Sequence, residues 1–387
     1  MMIPTIKTFI KVSVCIAFAL YSINVSAQAT LVQKTIDKID SYKNVSYRHT
    51  NKIKDFFTTD TSTQQTRNII FKASEDKVLG YLYRTERLNK DDKPTGTELY
   101  NGKNVITLNL IDSTYQISEI RADAGSGVLV KLNWFKSFIT KKPSAMVNAS
   151  DTTINGIICS HLIINTRDTI INKEHLYTRF HLFINKESDM PICILCNARS
   201  SEIGNSITNY YSEDSYFDYK FDLDINTTIL TIPNGFHEHK DEPELELLKP
   251  GTIAPDLVLE GTDGKKVTLS KLRGKVVLLD YFFIGCYPCM LSIKPLNAMH
   301  EKYRKQNVVI VSINHRDGKK SLSEFRKING LKYPIYINGA DAVKTYHVSG
   351  FPTFYFIDKK GKIANIIVGY GDDFEKNATS VIDKLLN

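Results

Sequence analysis

Two patterns of apolar spacing divide the chain near residue 250. Before that point apolar and polar residues alternate in short runs, the period of half-buried strands. A helix is predicted at Leu31–Tyr42. Strands follow at Asn68–Ala73, Val78–Arg84 and Leu99–Leu110, the last turning at Asn101-Gly102. Further strands read from Gly156–Asn165, His175–Asn185 and Pro191–Ala198, with a short amphipathic helix at Lys131–Phe138. This predicts an antiparallel, β-rich α+β domain over residues 28–236, its sheet curling as a half-barrel around a helix or two.

Residues 237–250 lose all apolar periodicity. Charges alternate there and Pro243 and Pro250 break structure, so this stretch is expected to be a linker. From residue 251 onward strands alternate with helices. Strands are predicted at Val267–Leu269, Val276–Phe283, Val308–Ile313, Pro334–Ile337, Thr353–Ile357 and Ile363–Val368. Helices are predicted at Cys289–Lys305, Leu322–Asn329, Asp341–His347 and Phe374–Leu386. Such alternation implies an α/β domain over 251–387, a central sheet with helices on both faces.

The first 27 residues stand apart from both domains. Lys7 and Lys11 precede the apolar run Val12–Ile23, and Val25-Ser-Ala27 supplies small residues where a signal peptidase cuts. The run is short for a membrane span. Cys15 lies inside it, but Val14 is not the small residue a lipid-acceptor cysteine follows, so lipidation is rejected. The expectation is export to the periplasm with cleavage after Ala27; an uncleaved, membrane-anchored form is the alternative. A hydrophobic content of 42% and charged content of 24% suit a soluble globular protein. The net charge of +8 is spread along the chain without a Lys/Arg run, which argues against a nucleic-acid partner.

Cleavage would leave Cys159, Cys193, Cys196, Cys286 and Cys289, an odd set in which at least one thiol stays unpaired. Cys193 and Cys196 fall on a predicted strand. Residues three apart on a strand face opposite sides, so this pair is poorly built for redox or metal chemistry. A disulfide from Cys159 to Cys193 or to Cys196 is expected instead. His237-Glu-His239 sits in a charged stretch and reads as solvated.

The chemistry concentrates in Leu278–Leu291, an apolar strand that runs into Cys286-Tyr-Pro-Cys289. A helix beginning there places Cys286 at its N-terminus, exposed, where free N–H groups and the helix dipole favour a thiolate. Cys289 follows one turn later, deeper, close enough to close a small disulfide ring. A zinc site would need a second Cys or His pair, and His300, His315 and His347 are scattered singly. No metal or cofactor is expected. Asp280, six residues before Cys286 on the incoming strand, faces the core. Desolvation would raise its pKa and let it take the Cys289 proton.

Residues 251–387 resemble the thioredoxin superfamily, and within it the TlpA/ResA-like thiol–disulfide oxidoreductases. The match rests on Gly251-Thr-Ile-Ala-Pro-Asp256, Asp263-Gly-Lys and Leu269-Ser-Lys-Leu-Arg-Gly-Lys275. It rests further on Cys286-Tyr-Pro-Cys289, on Lys294-Pro295 and on Val348-Ser-Gly-Phe-Pro-Thr353. The resemblance implies a thioredoxin-like fold, a nucleophilic Cys286, a resolving Cys289, and a cis peptide before Pro352 that offers backbone to a substrate strand. Phe351, Tyr287 and Gly350 would border the substrate. It also implies protein disulfides as substrates and a membrane or periplasmic thiol reductant as partner. Two departures stand out: Gly285 replaces the family's tryptophan, and Ile293 occupies the place of a helix glutamate, leaving Asp280 to handle the proton. The N-terminal half resembles the LolA-like half-barrels that bind lipidated cargo.

Two other functions compete. A peroxiredoxin would need a threonine three residues before its nucleophile, where this chain has Phe283. An extracytoplasmic module binding lipid or protein would use the second domain only as a redox sensor.

Overall fold

A computed structural model of the chain describes residues 31–54, 61–120, 127–203, 206–240 and 245–387. The expected signal peptide, residues 1–27, lies outside the described residues. Among those described, no helix is long and apolar enough to cross a membrane. The chain divides into two compact units, each with its own sheet.

The first unit opens with a helix over residues 31–40, α1. Its strands are β1 (Asn44–Lys54), β2 (Thr61–Lys72), β3 (Tyr81–Leu88), β4 (Pro94–Tyr100), β5 (Asn104–Asn109) and β6 (Thr114–Glu119). Helix α2 (Val128–Lys141) comes next, then β7 (Met146–Asn148), β8 (Thr152–Ile154) and β9 (Ile157–Ile171). The unit ends with β10 (Glu174–Asn185), β11 (Pro191–Ile203), β12 (Ser206–Phe221) and β13 (His237–Glu238). These form one thirteen-stranded sheet, ordered β13-β6-β5-β4-β3-β2-β1-β12-β11-β10-β9-β7 with β8 on β9.

One face of that sheet packs on both helices. Val32, Ile36 and Ile39 of α1 and Val128, Leu132, Phe135 and Ile139 of α2 are spaced by helical turns, and all are buried against it. The apolar row begins at Val128 and ends at Ile139, so α2 is longer than the Lys131–Phe138 expected. The expected turn between β4 and β5 forms. Asn101 Oδ1 accepts from the Lys103 and Asn104 amides, and Gly102 takes φ of 89°, where a side chain would be strained.

Other parts of this unit also differ from expectation. The stretch read as a linker from residue 237 starts with β13, which pairs in parallel with Thr114–Tyr115 and extends the sheet edge. A two-residue strand carries too few apolar positions to leave a period. Strands β1 and β12 also escape the alternation rule because part of their buried face is polar. There Asp214, almost fully buried, accepts from His49 Nε2 at 2.8 Å, from Asn51 Nδ2 at 2.9 Å and from the Lys131 ammonium.

The second unit contains β14 (Val258–Gly261), β15 (Lys266–Thr268), β16 (Val276–Phe282), α3 (Tyr287–Tyr303) and β17 (Val308–Asn314). After these come α4 (Lys319–Ile328), β18 (Ile335–Ile337), α5 (Ala340–Thr345), β19 (Thr353–Ile357), β20 (Ile363–Val368) and α6 (Phe374–Leu386). The sheet order is β15-β14-β18-β17-β16-β19-β20. All of β16 is buried, parallel to β17 on one side and antiparallel to β19 on the other. Its even-numbered residues Leu278 and Phe282 join the core of α3, α4 and α6. Its odd-numbered residues Val277, Leu279 and Tyr281 join the core of α5. Helices therefore cover both faces, as the alternation of elements implies.

The buried charge of the first unit has a pH signature. Burial opposes ionisation of Asp214, but the His49 hydrogen bond and the Lys131 charge outweigh it and hold the pKa down to about 2. A depressed folded-state pKa stabilises above the unfolded value near 3.8 and is lost as pH falls toward 2. Asp214→Asn should therefore cost ~2 kcal/mol in urea unfolding at pH 6, less than the ~3–5 kcal/mol of a fully buried pair because Lys131 reaches solvent. That gap should close between pH 4 and 2; a gap unchanged at pH 2 would contradict the assignment.

Candidate active site

Strand β16 delivers the chain to the carboxyl end of the sheet, where the next three residues turn it into α3. Gly285 makes that turn with φ of 91°, a left-handed conformation that a tryptophan would adopt only under strain. This accounts for the departure at that position. Cys286 is the N-cap of α3, and its Sγ accepts from the Cys289 amide at 3.3 Å. The two cysteines form a disulfide, with Sγ–Sγ of 1.99 Å and Cα–Cα of 5.2 Å. Pro288 occupies the first turn of the helix, where a missing N–H is harmless. The helix continues unbroken through Pro295, the proline of Lys294-Pro295.

Cys286 was expected to be exposed, and here the structure corrects the sequence reading. It is only 5% exposed and Cys289 2%. Its sulfur turns inward to Cys289, and Ile284 with the partly buried Phe283 and Phe351 packs in the same cluster. The exposed member of the motif is Tyr287, at 48%.

Asp280 is the fifth of the seven residues of β16 and shares the face of Leu278 and Phe282, the side covered by α3. It is 2% exposed. Oδ2 accepts from Ser312 Oγ of β17 at 2.6 Å, while Oδ1 has no partner among the described residues. Burial pushes its pKa up to about 7 against the opposing Ser312 hydrogen bond. The group stands near half-ionisation at neutral pH.

The Phe351–Pro352 peptide is cis. Thr353 Oγ1 donates to the Gly350 carbonyl at 2.7 Å, and the Gly369 amide donates to the Pro352 carbonyl at 2.8 Å, tying this loop to the end of β20. Phe351 meets Phe283 edge-on with ring centroids 5.3 Å apart. Cys286, Tyr287 and Cys289 at the start of α3 and Gly350, Phe351 and Pro352 on their loop thus lie at one end of the sheet, with Asp280 buried in β16.

A third loop shapes this end, and sequence reasoning passed over it. At the last residue of β17, Asn314 Oδ1 accepts from the amides of Arg316 and Asp317 at 3.0 and 2.7 Å, closing a tight turn. Asp317 Oδ2 then accepts from the Ile284 amide at 2.8 Å, and Arg316 donates to the Ile284 carbonyl at 3.4 Å. The Arg316 guanidinium lies 3.6 Å over the Phe283 ring, and the His315 ring stacks on Phe351 at 4.7 Å. The available signal was positional. In a sheet with parallel neighbours, the loop after β17 adjoins the loop after β16.

Cys159, Cys193 and Cys196 are free and buried, so the disulfide expected from Cys159 is not formed. Strand β10 runs between β9, which carries Cys159, and β11, which carries the other two. Cys159 and Cys193 share a small cluster with Phe183, whereas Cys196 lies near Lys131, so the neighbours on β11 diverge as strand geometry requires. Burial holds them as thiols, pushing Cys193 up to about 12 and Cys196 to about 11.

A strand-to-helix Cys-x-x-Cys disulfide facing a cis-proline loop is the architecture of a thioredoxin-fold thiol–disulfide oxidoreductase. The AhpC/TSA family model matches residues 250–366. Thiol-disulfide oxidoreductase ResA of Geobacillus kaustophilus is 36% identical over 134 residues, 34% of this chain and 77% of the relative. ResA of Bacillus cereus is 31% identical over 140 residues, 36% of this chain and 78% of the relative. A Chlorobium tepidum crystal structure assigned as a thiol:disulfide interchange protein DsbE aligns with TM-score 0.35 and 28% identity, covering 36% of this chain and 99% of that one. The chain belongs to the ResA family of thiol–disulfide oxidoreductases, and the protein is an enzyme of that class.

Thiol counting checks the cysteine assignment. The native oxidised protein should give essentially no fast-reacting thiol with maleimide, and reduction should expose thiols confined to Cys286 and Cys289. Rapid labelling of Cys193 or Cys196 in the folded protein, read by peptide mass spectrometry, would contradict it.

Proposed function

We propose that the protein works outside the cytoplasm, in the periplasm, as a reductant of protein disulfides through Cys286-Tyr-Pro-Cys289. One observation supports this reading: the helix-capping Cys286 is joined to Cys289 at the sheet end that holds the cis-Pro352 loop, and Asp280 is buried on the strand that leads into them. Residues 1–27, with their basic start, apolar run and Val25-Ser-Ala27, support export.

The cycle starts from the reduced dithiol. The Cys286 thiolate, favoured by the N–H groups of the first helical turn, attacks one sulfur of a substrate disulfide. A mixed disulfide forms and one substrate thiolate leaves, taking up a proton. Asp280, ionised in about half the molecules near pH 7, accepts the Cys289 proton. The Cys289 thiolate then attacks Cys286 Sγ and releases the second substrate thiol. Two electrons have passed to the substrate, and the enzyme is left as the Cys286–Cys289 disulfide. A membrane or periplasmic thiol donor returns it to the dithiol. The substrate strand lies against the Gly350–Pro352 backbone, with Phe351 and Tyr287 as its apolar contacts.

A second reading gives the first unit the main role, as a half-barrel binding lipid or protein with the second unit as redox sensor. It is supported by a cavity of about 360 Å³ lined by Trp134, Phe135, Phe180 and Ile194. Trp134 is the chain's one tryptophan, so its fluorescence reports directly on occupancy.

Trapping separates the cysteine roles. Cys289→Ser should hold substrates as stable mixed disulfides through Cys286, whereas Cys286→Ser should trap little and reduce insulin no faster than the uncatalysed reaction. Asp280→Asn should still form the mixed disulfide but resolve it ~10²-fold more slowly at pH 7. Equal trapping by both serine variants, or wild-type resolution in Asp280→Asn from pH 6 to 9, would defeat the assignment.

A further inference from the structure

The loop after β17 does more than brace the turn before Cys286. It gives that side of the site a positive charge. Arg316 is exposed, and its hydrogen bond goes to the Ile284 carbonyl; among the described residues no carboxylate pairs with it. The Asp317 carboxylate is turned inward, onto the Ile284 amide and Asn314 Nδ2 at 2.8 Å each. His315 adds little charge at neutral pH, because burial and the neighbouring Arg316 lower its pKa. The guanidinium is also fixed in place, since its stacking on Phe283 removes most of its side-chain freedom before any partner arrives.

The far side of the site has the opposite sign. Strand β20 ends beside the cis-proline loop, and Asp372 and Asp373 follow it, both exposed. The sheet order β17-β16-β19-β20 puts Arg316 on one flank and these aspartates on the other, with Cys286 and Pro352 between. A segment lying across Pro352 therefore meets a fixed cation at one edge and two carboxylates at the other.

We infer that Arg316 selects the substrate, favouring disulfides whose attacked cysteine is flanked, on the Arg316 side, by an acidic residue. The inference rests on the disulfide-exchange reading above and narrows it to a substrate class. A planar guanidinium held at a known place can take a carboxylate through two parallel hydrogen bonds, which a mobile surface lysine does less well.

The test uses the full mature chain, reduced, with three mixed-disulfide peptides that differ only in the residues beside cysteine: glutamate, serine or lysine. Hydroxyethyl disulfide, small and neutral, is the internal reference for each variant. Wild type should prefer the glutamate peptide over the lysine peptide by ~3–10-fold in kcat/KM at low ionic strength, mostly through KM, as expected for a partly exposed ion pair. The preference should fade by 0.5 M salt. Arg316→Ala should bring the ratio close to one and Arg316→Glu should reverse it, while Arg316→Lys keeps much of it. An undiminished preference in Arg316→Ala, or none in wild type while hydroxyethyl disulfide is turned over, overturns the inference. Failure of wild type to reduce any of the four disulfides overturns the disulfide-exchange reading itself, and the inference with it.

Discussion

Burying a carboxyl group in the central strand of a sheet is unfavourable unless the group is hydrogen-bonded or uncharged. Asp280 is only half satisfied: Ser312 supplies one donor and the second oxygen has none among the described residues. The fold therefore keeps this carboxyl protonated well above the ordinary range, up to about pH 7. The consequence for stability has a definite sign. Between about pH 4 and pH 7 the unfolded chain has released this proton and the folded chain retains it, so stability falls as pH rises through that window. A change of Asp280 to an apolar residue would remove this desolvation penalty together with the one titratable carboxyl of β16.

The rest of the site follows from where strands end. Strand β16 leads into the cysteines, β17 into the Asn314–Asp317 turn, and β19 begins at the cis-proline loop. All three meet at one end because β17 is parallel to β16 and β19 antiparallel. The cysteines belong to the core cluster against which Phe283 and Phe351 from these loops pack, with His315 stacked on Phe351. Both cysteines are buried, while Tyr287 and Arg316 are exposed at this end of the sheet.

Much of the second unit was legible because its elements are bounded by strong signals. Strands Thr353–Ile357 and Ile363–Val368 and helix Phe374–Leu386 fall on the residues expected, where apolar period and turn residues agree. Asp280 and Pro352 could be singled out because each is defined along the chain, by distance from Cys286 or by its own backbone chemistry. The Arg316 clamp could not, since its contacts join residues more than thirty positions apart and use ordinary side chains. The burial of Cys286 was hidden for the same reason: the cluster it joins draws on residues far along the chain, Phe354 and Phe374 among them. In the first unit, β1 and β12 lacked an apolar period because Asp214 and His49 occupy inward positions. Strand β14, four residues with an exposed Val258, was too short to read.

The proposed resolution step depends most on the protonation state of Asp280, and that can be observed directly. The ¹³C chemical shift of its carboxyl carbon, followed from pH 3 to 9 in the full chain with Asp280→Asn to assign the signal, reports the titration without reference to activity. A midpoint near 7 is the result required by a half-satisfied carboxyl buried beneath α3. A midpoint near the ordinary ~3.9 of an aspartate would mean that the group is solvated or fully paired, and that the proton leaves Cys289 by another route.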